Sequence, residues 1–142
     1  MTENSALFGT WEGYKSENIE AVMEKAGASF LVKKVSSNAN PTMTISKVDN
    51  KVIRIASKML AFSVEQELEL GGIRRFKPPQ GDEQDCTAEW RDGKLLVFAG
   101  KPGADVRGPD GIVQTREVLD NGEMLLTMQA GDTVGHRWFK RK

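Results

Sequence analysis

Residues 115–139 constrain the fold of this 142-residue chain more than any other stretch. The stretch reads TREVL, DNG, EMLLTMQ, AGD and TVGHRWF, so apolar and β-branched runs alternate with breaks that contain Gly with Asn or Asp. Those residues supply the positive φ angles that tight hairpin connections need. The stretch therefore predicts three consecutive antiparallel strands joined by two turns.

Two arginines, Arg116 and Arg137, lie in the first and last of these runs, and Phe139 shares a strand face with Arg137 because it follows two residues later. The pattern leaves two interpretations open, since Trp138 makes the opposite face equally apolar. In one, both arginines are surface residues in ion pairs, the usual environment of arginine. In the other, the face lines a closed barrel. A buried cation is costly unless it is paired with an anion. This interpretation therefore predicts that the carboxylate of a bound ligand pairs with the arginines.

Runs of strand character recur at roughly 8–12-residue spacing along the rest of the chain, separated by turn pairs such as Asp49-Asn50 and Asp92-Gly93. About ten strands at this spacing indicate an all-β barrel or sandwich, formed as a single domain over residues 1–142. The predicted strands before the final stretch are residues 7–14, 42–48, 51–57, 62–70, 73–76, 86–91 and 94–99, followed by a run that begins at Ile112.

Helical spacing appears only near the N-terminus. Ser16 is a suitable N-cap for a short helix that would end at Gly27, and a second helix is predicted at about residues 28–35. Pro41 then pushes the chain out of helical geometry. This helix–turn–helix would cap one open end of a barrel. The glycine- and proline-rich residues 100–111 predict a surface loop.

Composition excludes several classes of protein. Lys plus Arg and Asp plus Glu both number 20, which gives no support for a nucleic-acid partner. The one cysteine, Cys86, cannot form an internal disulfide, which favours a reducing compartment. No secretory signal and no stretch of membrane-spanning length are visible, so we expect a soluble cytoplasmic protein.

Motifs for catalysis are scarce. The one histidine, His136, alternates with Arg137 and is predicted to face outward if the arginine faces inward. The chain has no CxxC, HExxH, GxSxG or GxxxxGK[ST] pattern. Three glutamates at period two, Glu65, Glu67 and Glu69, predict a solvated outer sheet face. We therefore expect no enzyme activity, no metal and no cofactor.

Four segments resemble the intracellular lipid-binding proteins, the fatty acid-binding protein family. They are FGTW followed by SENIE at residues 8–20, PT at residues 41–42, LELGGIRRF at residues 68–76, and the closing hairpin at residues 116–139. The resemblance implies an antiparallel up-and-down barrel of ten strands, a β-clam, with the helix–turn–helix after the first strand as a lid. It also implies a non-catalytic carrier that holds one long-chain fatty acid in an internal cavity.

In that family the ligand's carboxylate is held by an arginine in a late strand and an Arg-x-Tyr in the last. The resemblance places these roles on Arg116 and Arg137, with Phe139 where the tyrosine stands. Arginine at both positions favours an acid over an alcohol such as retinol. The predicted ligand-binding residues are Arg116, Arg137, Phe139, Leu126, Met128, Ile19, Met23 and Phe30.

Three further expectations accompany this site. A retinoid or another hydrophobic acid is the alternative ligand for the same cavity, and a lipid-acting enzyme is the less favoured alternative function. Lys25, Lys33 and Lys34 on the lid would allow transient contact with anionic membrane surfaces. The protein is expected to be a monomer.

Overall fold

Ten strands and one short α-helix form the protein in the computed structural model, which describes residues 3–26, 40–59, 63–77 and 82–142. A 3-10 turn at Ser5–Leu7 precedes the first strand, and helix α1 (Ile19–Lys25) follows it. The strands are β1 (Gly9–Glu17), β2 (Thr42–Lys47), β3 (Val52–Lys58), β4 (Ser63–Glu69), β5 (Arg74–Phe76), β6 (Gln84–Arg91), β7 (Lys94–Gly100), β8 (Ile112–Val118), β9 (Met124–Ala130) and β10 (Thr133–Arg141).

The strands make one antiparallel sheet in the order β4-β3-β2-β1-β10-β9-β8-β7-β6-β5. Pairing of β1 with β10 joins the two ends of the chain and curls the sheet into a nearly closed barrel. Strands β4 and β5 are its edges, and an isolated bridge between Leu70 and Ala88 lies beside this seam. The predicted ten-stranded up-and-down barrel is confirmed.

Alternate residues of the strands fill the interior with apolar side chains, as half-buried strands require. Trp11 is fully buried among them, and its indole Nε1 donates to the carbonyl oxygen of Leu7 at 3.0 Å. The guanidinium of Arg141 lies over the same ring, 4.1 Å from its centroid. The N-terminal turn therefore packs at one end of the barrel, and α1 lies towards the other.

The predicted start of the first helix is wrong. Ser16 is a strand residue paired with Arg137, and β1 continues to Glu17. The residue before the helix is Asn18, whose φ is 58° and whose side-chain amide donates to the carbonyl oxygen of Val134 at 2.7 Å. Pairing with β10 continues through Ser16 and Glu17 and so overrides the local capping signal of Ser16.

Helix α1 docks on β10 at a glycine. A Cβ atom at Gly135 would lie 2.8 Å from the carbonyl oxygen of Asn18, so only glycine permits this approach. Ile19 and Val22 are buried as a result. The predicted second helix, residues 28–35, lies outside the described residues, so the lid prediction is tested only for its first helix. No helix within the described ranges is long and apolar enough to cross a membrane.

Candidate functional site

Three adjacent strands bring the two predicted arginines onto one face of the sheet. Leu126 of β9 pairs with Arg137 of β10 on one side and with Arg116 of β8 on the other. Directly opposed residues in an antiparallel sheet share a face, so both arginines face the interior. Each is 4% exposed, so the interior interpretation is confirmed and the surface ion-pair interpretation is wrong. With strands about 4.8 Å apart, the two backbones are roughly 10 Å apart.

Burial weakens the hold of both guanidinium groups on their proton. Desolvation lowers the pKa of Arg116 to about 10 and the pKa of Arg137 to about 10. Both values remain well above neutral pH, so both side chains stay positively charged inside the barrel. Charges in a low-dielectric interior are costly, and a site that keeps two of them is suited to an anion.

Arg116 has donors that the described chain does not satisfy. Its Nε donates to the thioether sulfur of Met43 at 3.4 Å, and its Nη1 is buried with no acceptor among the described residues. A thioether is a weak, neutral acceptor and cannot offset the charge. Buried donors without acceptors are rare in folded proteins and call for an explanation. A ligand that places an oxygen atom within reach of Nη1 would supply the missing acceptor.

Trp90 adds another unsatisfied donor to the same row of side chains. It pairs with Leu95 of β7, which in turn pairs with Arg116 of β8, so all three share the interior face. Its indole Nε1 is buried and finds no acceptor in the parts of the chain that the structure describes. Sequence reasoning missed this residue. Extending the hairpin register outward from its turn at Asp92-Gly93 pairs Trp90 with Leu95, which puts the two on one face without saying which face is interior.

Phe139 lies one row from the arginines, on the side away from α1. It is fully buried and pairs with Met124 of β9 and with Gly13 of β1. A Cβ atom at Gly13 would lie 3.3 Å from the Phe139 ring, so the glycine makes room for this aromatic side chain. The ring adds apolar surface one row from the arginines and, unlike a tyrosine, offers no hydroxyl.

The other predicted residues extend from the arginine row towards α1. Leu126 is buried between the two arginines, and half-buried Met128 follows on the same face. Ile19 is buried and Met23 half-buried in α1, which contacts β9 and β10. Phe30 lies outside the described residues. The structure therefore brings Arg116, Leu126 and Arg137 together directly.

The cysteine and the histidine do not form a reactive pair. Cys86 is buried, and its burial raises the pKa of the thiol, which lowers its nucleophilicity at neutral pH. His136 is half-buried on the outer face, with its Nδ1 at 3.2 Å from Thr127 Oγ1, so its predicted outward orientation is confirmed. Within residues 3–26, 40–59, 63–77 and 82–142, no group of His, Cys, Asp and Glu side chains could hold a metal ion.

Comparison with known proteins finds relatives that are similar in sequence over nearly the whole chain. No protein-family model matches the chain. Intestinal fatty acid-binding protein of Mus musculus is 29% identical over 139 residues, which cover 96% of this chain and 99% of that protein. Cellular retinoic acid-binding protein 2 of Mus musculus is 26% identical over 138 residues, 94% of this chain and 96% of that protein. The chain is thus similar to fatty acid-binding proteins over nearly its whole length.

Solved structures of the family share the fold. The fatty acid-binding protein of Schistosoma mansoni, solved in complex with arachidonic acid, superposes with a TM-score of 0.83 over 97% of both chains, at 24% identity. The family resemblance seen in the opening and closing segments is thus confirmed over nearly the whole chain.

Proposed function

We propose that the protein is a non-catalytic carrier that holds a long-chain fatty acid inside the barrel, with the carboxylate between Arg116 and Arg137. The observation that supports this most strongly is the state of Arg116. It is a buried cation whose Nη1 has no acceptor in the described chain and whose Nε donates to a neutral sulfur. A carboxylate supplies both the missing acceptor and the missing charge.

The arrangement of the barrel also favours a direction for the ligand. With the carboxylate at the arginine row and Phe139 on one side of it, the alkyl chain extends past Met128 towards α1. Each buried methylene contributes about 0.8 kcal/mol, so a sixteen-carbon chain contributes on the order of 10 kcal/mol before ordering costs. Leu126, Met128, Ile19, Met23 and Phe30 are the residues that we propose to contact that chain.

A retinoid or another hydrophobic acid is the second candidate ligand. It is supported by the 26% identity to a protein named for retinoic acid binding. The arginine pair suits either acid, because both ligands present one carboxylate on a long apolar body. The pair gives no such advantage to an alcohol of the same length, which carries no charge for a buried cation to meet.

Two measurements test the proposed function. Mass spectrometry of lipids extracted from the purified protein is expected to show long-chain fatty acids. Calorimetric titration is expected to show that palmitate binds more tightly than hexadecanol, which has the same chain length. Equal affinities would remove the anchor from the proposal, and preferential recovery of retinoic acid would favour the second ligand. Turnover of a bound lipid by the purified protein would contradict a non-catalytic role.

We also propose that the carrier works as a cytoplasmic monomer whose lid touches anionic membranes. Lys25 is exposed at the end of α1, which supports such contact, whereas Lys33 and Lys34 lie outside the described residues. Lys25→Gln is expected to slow transfer of a fluorescent fatty acid to vesicles that contain phosphatidylserine and to leave transfer to neutral vesicles unchanged. Equal slowing with both kinds of vesicle would contradict a charge-dependent contact.

A further inference from the structure

The contact between Met43 and Arg116 crosses the interior of the barrel. Met43 belongs to β2 and Arg116 to β8, and the shorter path between them along the sheet passes through β1, β10 and β9. The Met43 sulfur lies 3.4 Å from Arg116 Nε, and both residues are 4% exposed. The Met43 side chain therefore reaches from one wall to a charged group on another.

This contact occupies one of the edges through which arginine binds carboxylates. A guanidinium group can hold a carboxylate bidentately, through two parallel N–H donors. With Nε held by sulfur, an incoming carboxylate meets the free donor Nη1 but cannot use the Nε edge until the sulfur leaves. Met has three rotatable bonds and a soft sulfur, so it can move aside within a packed interior.

We propose that Met43 is a specificity-determining residue: its thioether holds the Nε–H of Arg116 and gives way when an acid binds. This inference rests on the proposed function. An acid must break the sulfur contact to use the Nε edge of the guanidinium, whereas an alcohol of equal length need not. Met43 thus lowers the preference of the barrel for acids over neutral lipids.

The test compares Met43→Leu with Met124→Leu. Both changes conserve volume and apolar character, and Met124 is a fully buried methionine on the interior face, paired with Phe139 rather than with an arginine. In Met43→Leu, palmitate is expected to bind roughly fivefold more tightly, because the ligand no longer competes with a sulfur acceptor. Hexadecanol affinity is expected to stay within about twofold of the wild type. Met124→Leu is expected to leave the ratio of palmitate to hexadecanol affinity unchanged.

A second measurement uses the wild-type protein and so does not depend on the stability of a variant. The NMR resonance of the Arg116 Nε–H, assigned by its loss in Arg116→Leu, is expected to move when palmitate is added and to stay when hexadecanol is added. A resonance that does not respond to palmitate would overturn the inference.

The two proposals fail in different ways. An unchanged or weaker affinity of Met43→Leu for palmitate, with wild-type binding intact, overturns the role of Met43 and leaves the carrier function standing. Failure of the wild-type protein to bind any long-chain acid overturns the carrier function, and the role of Met43 with it.

Discussion

Arginines on the outside of the barrel and arginines inside it have opposite surroundings. Two of the outer ones lie beside carboxylates: Arg54 Nη2 is 2.8 Å from Glu67, and Arg75 Nε is 3.0 Å from Asp85. Arg116 has no such partner in the described chain, and burial alone accounts for its lowered pKa. Arg54 and Arg75 are thus paired with carboxylates of the protein itself, whereas Arg116 is suited to pair with an anionic ligand that enters the barrel.

The seam of the barrel shows what ion pairs between arginine and glutamate do. Strands β4 and β5 are not paired in the sheet, and Arg74 of β5 instead contacts Glu67 and Glu69 of β4, each at 3.3 Å. Arg54 joins the same network through Glu67. Glu65, Glu67 and Glu69 lie on the predicted outer face beside Arg54, and Glu67 and Glu69 bridge the seam with ion pairs where a strand ladder is absent. The comparison suggests that the paired charges at the seam stabilise the fold. The buried charge of Arg116 reduces the stability of the fold and favours binding of an anion.

The largest effect is expected for Arg116→Leu. Palmitate affinity should fall by about 10- to 100-fold, because the main charge-assisted contact is lost. The ligand-free protein should become more stable, by about 1–3 kcal/mol, since a buried charge is replaced by a well-packed apolar side chain. Calorimetry and thermal unfolding measure the two effects. Arg75→Leu, on the outer face, should neither weaken palmitate binding nor stabilise the protein. A loss of stability in Arg116→Leu would contradict the contrast between outer and inner arginines.

Arg137→Gln is expected to weaken palmitate binding as well, but by less than Arg116→Leu, because water can replace part of the contact. Lys140 provides a matched control, because it is a cation in the same strand that faces solvent. Lys140→Gln should leave palmitate affinity within about twofold of the wild type. Unchanged affinity in both Arg116→Gln and Arg137→Gln would remove the anchor role from the pair.

Phe139→Tyr tests the missing hydroxyl. The new group would be buried beside the arginine row, so it should destabilise the ligand-free protein by about 1 kcal/mol unless it finds an acceptor. A bound carboxylate provides that acceptor, so palmitate affinity should rise by roughly threefold to tenfold, as calorimetry can show. Lower stability without any gain in affinity would place the ligand's carboxylate out of reach of position 139.

The smallest effect is expected at the seam, from Glu67→Gln. Hydrogen–deuterium exchange of the β4 and β5 amides should quicken, while palmitate affinity stays within about twofold. The hydrogen bond from Arg54 holds the pKa of Glu67 below its usual 4.5, so this stabilisation is present above pH 4.5 and is lost as the pH falls below it. The protection factors of the seam amides, which correct for the slower intrinsic exchange in acid, should therefore fall as the pH is lowered in the wild type but less so in Glu67→Gln. Identical acid responses would exclude Glu67 from this role.

Local patterns predicted most of the barrel because turn chemistry and strand alternation are local. The turn at Asp92-Gly93 is an example: its residues adopt positive φ angles of 53° and 78° between β6 and β7, as the sequence signal requires. The start of the first helix was missed because a distant strand, β10, pairs with β1 through Glu17. Local capping preferences carry no information about such a partner.

The site was predictable only in part, for the same reason. Periodicity put Arg137 and Phe139 on one face but could not say which face was interior, because Trp138 is equally apolar. Met43 carried no local signal, since its contact with Arg116 spans the barrel and joins residues 73 positions apart. Residues that act across a closed interior become visible only once the strands are arranged around it.

The ionisation of a bound acid tests the central claim most directly. Palmitate labelled with ¹³C at its carboxyl carbon can be bound to the protein and followed by NMR between about pH 8 and pH 5, above the pKa of about 4.3 of an ordinary side-chain carboxyl group. If the carboxylate lies between two buried arginines, its resonance should stay constant over this range, because nearby cations favour the charged form. A resonance that titrates above about pH 6, as a carboxyl group buried in apolar surroundings would, contradicts the account.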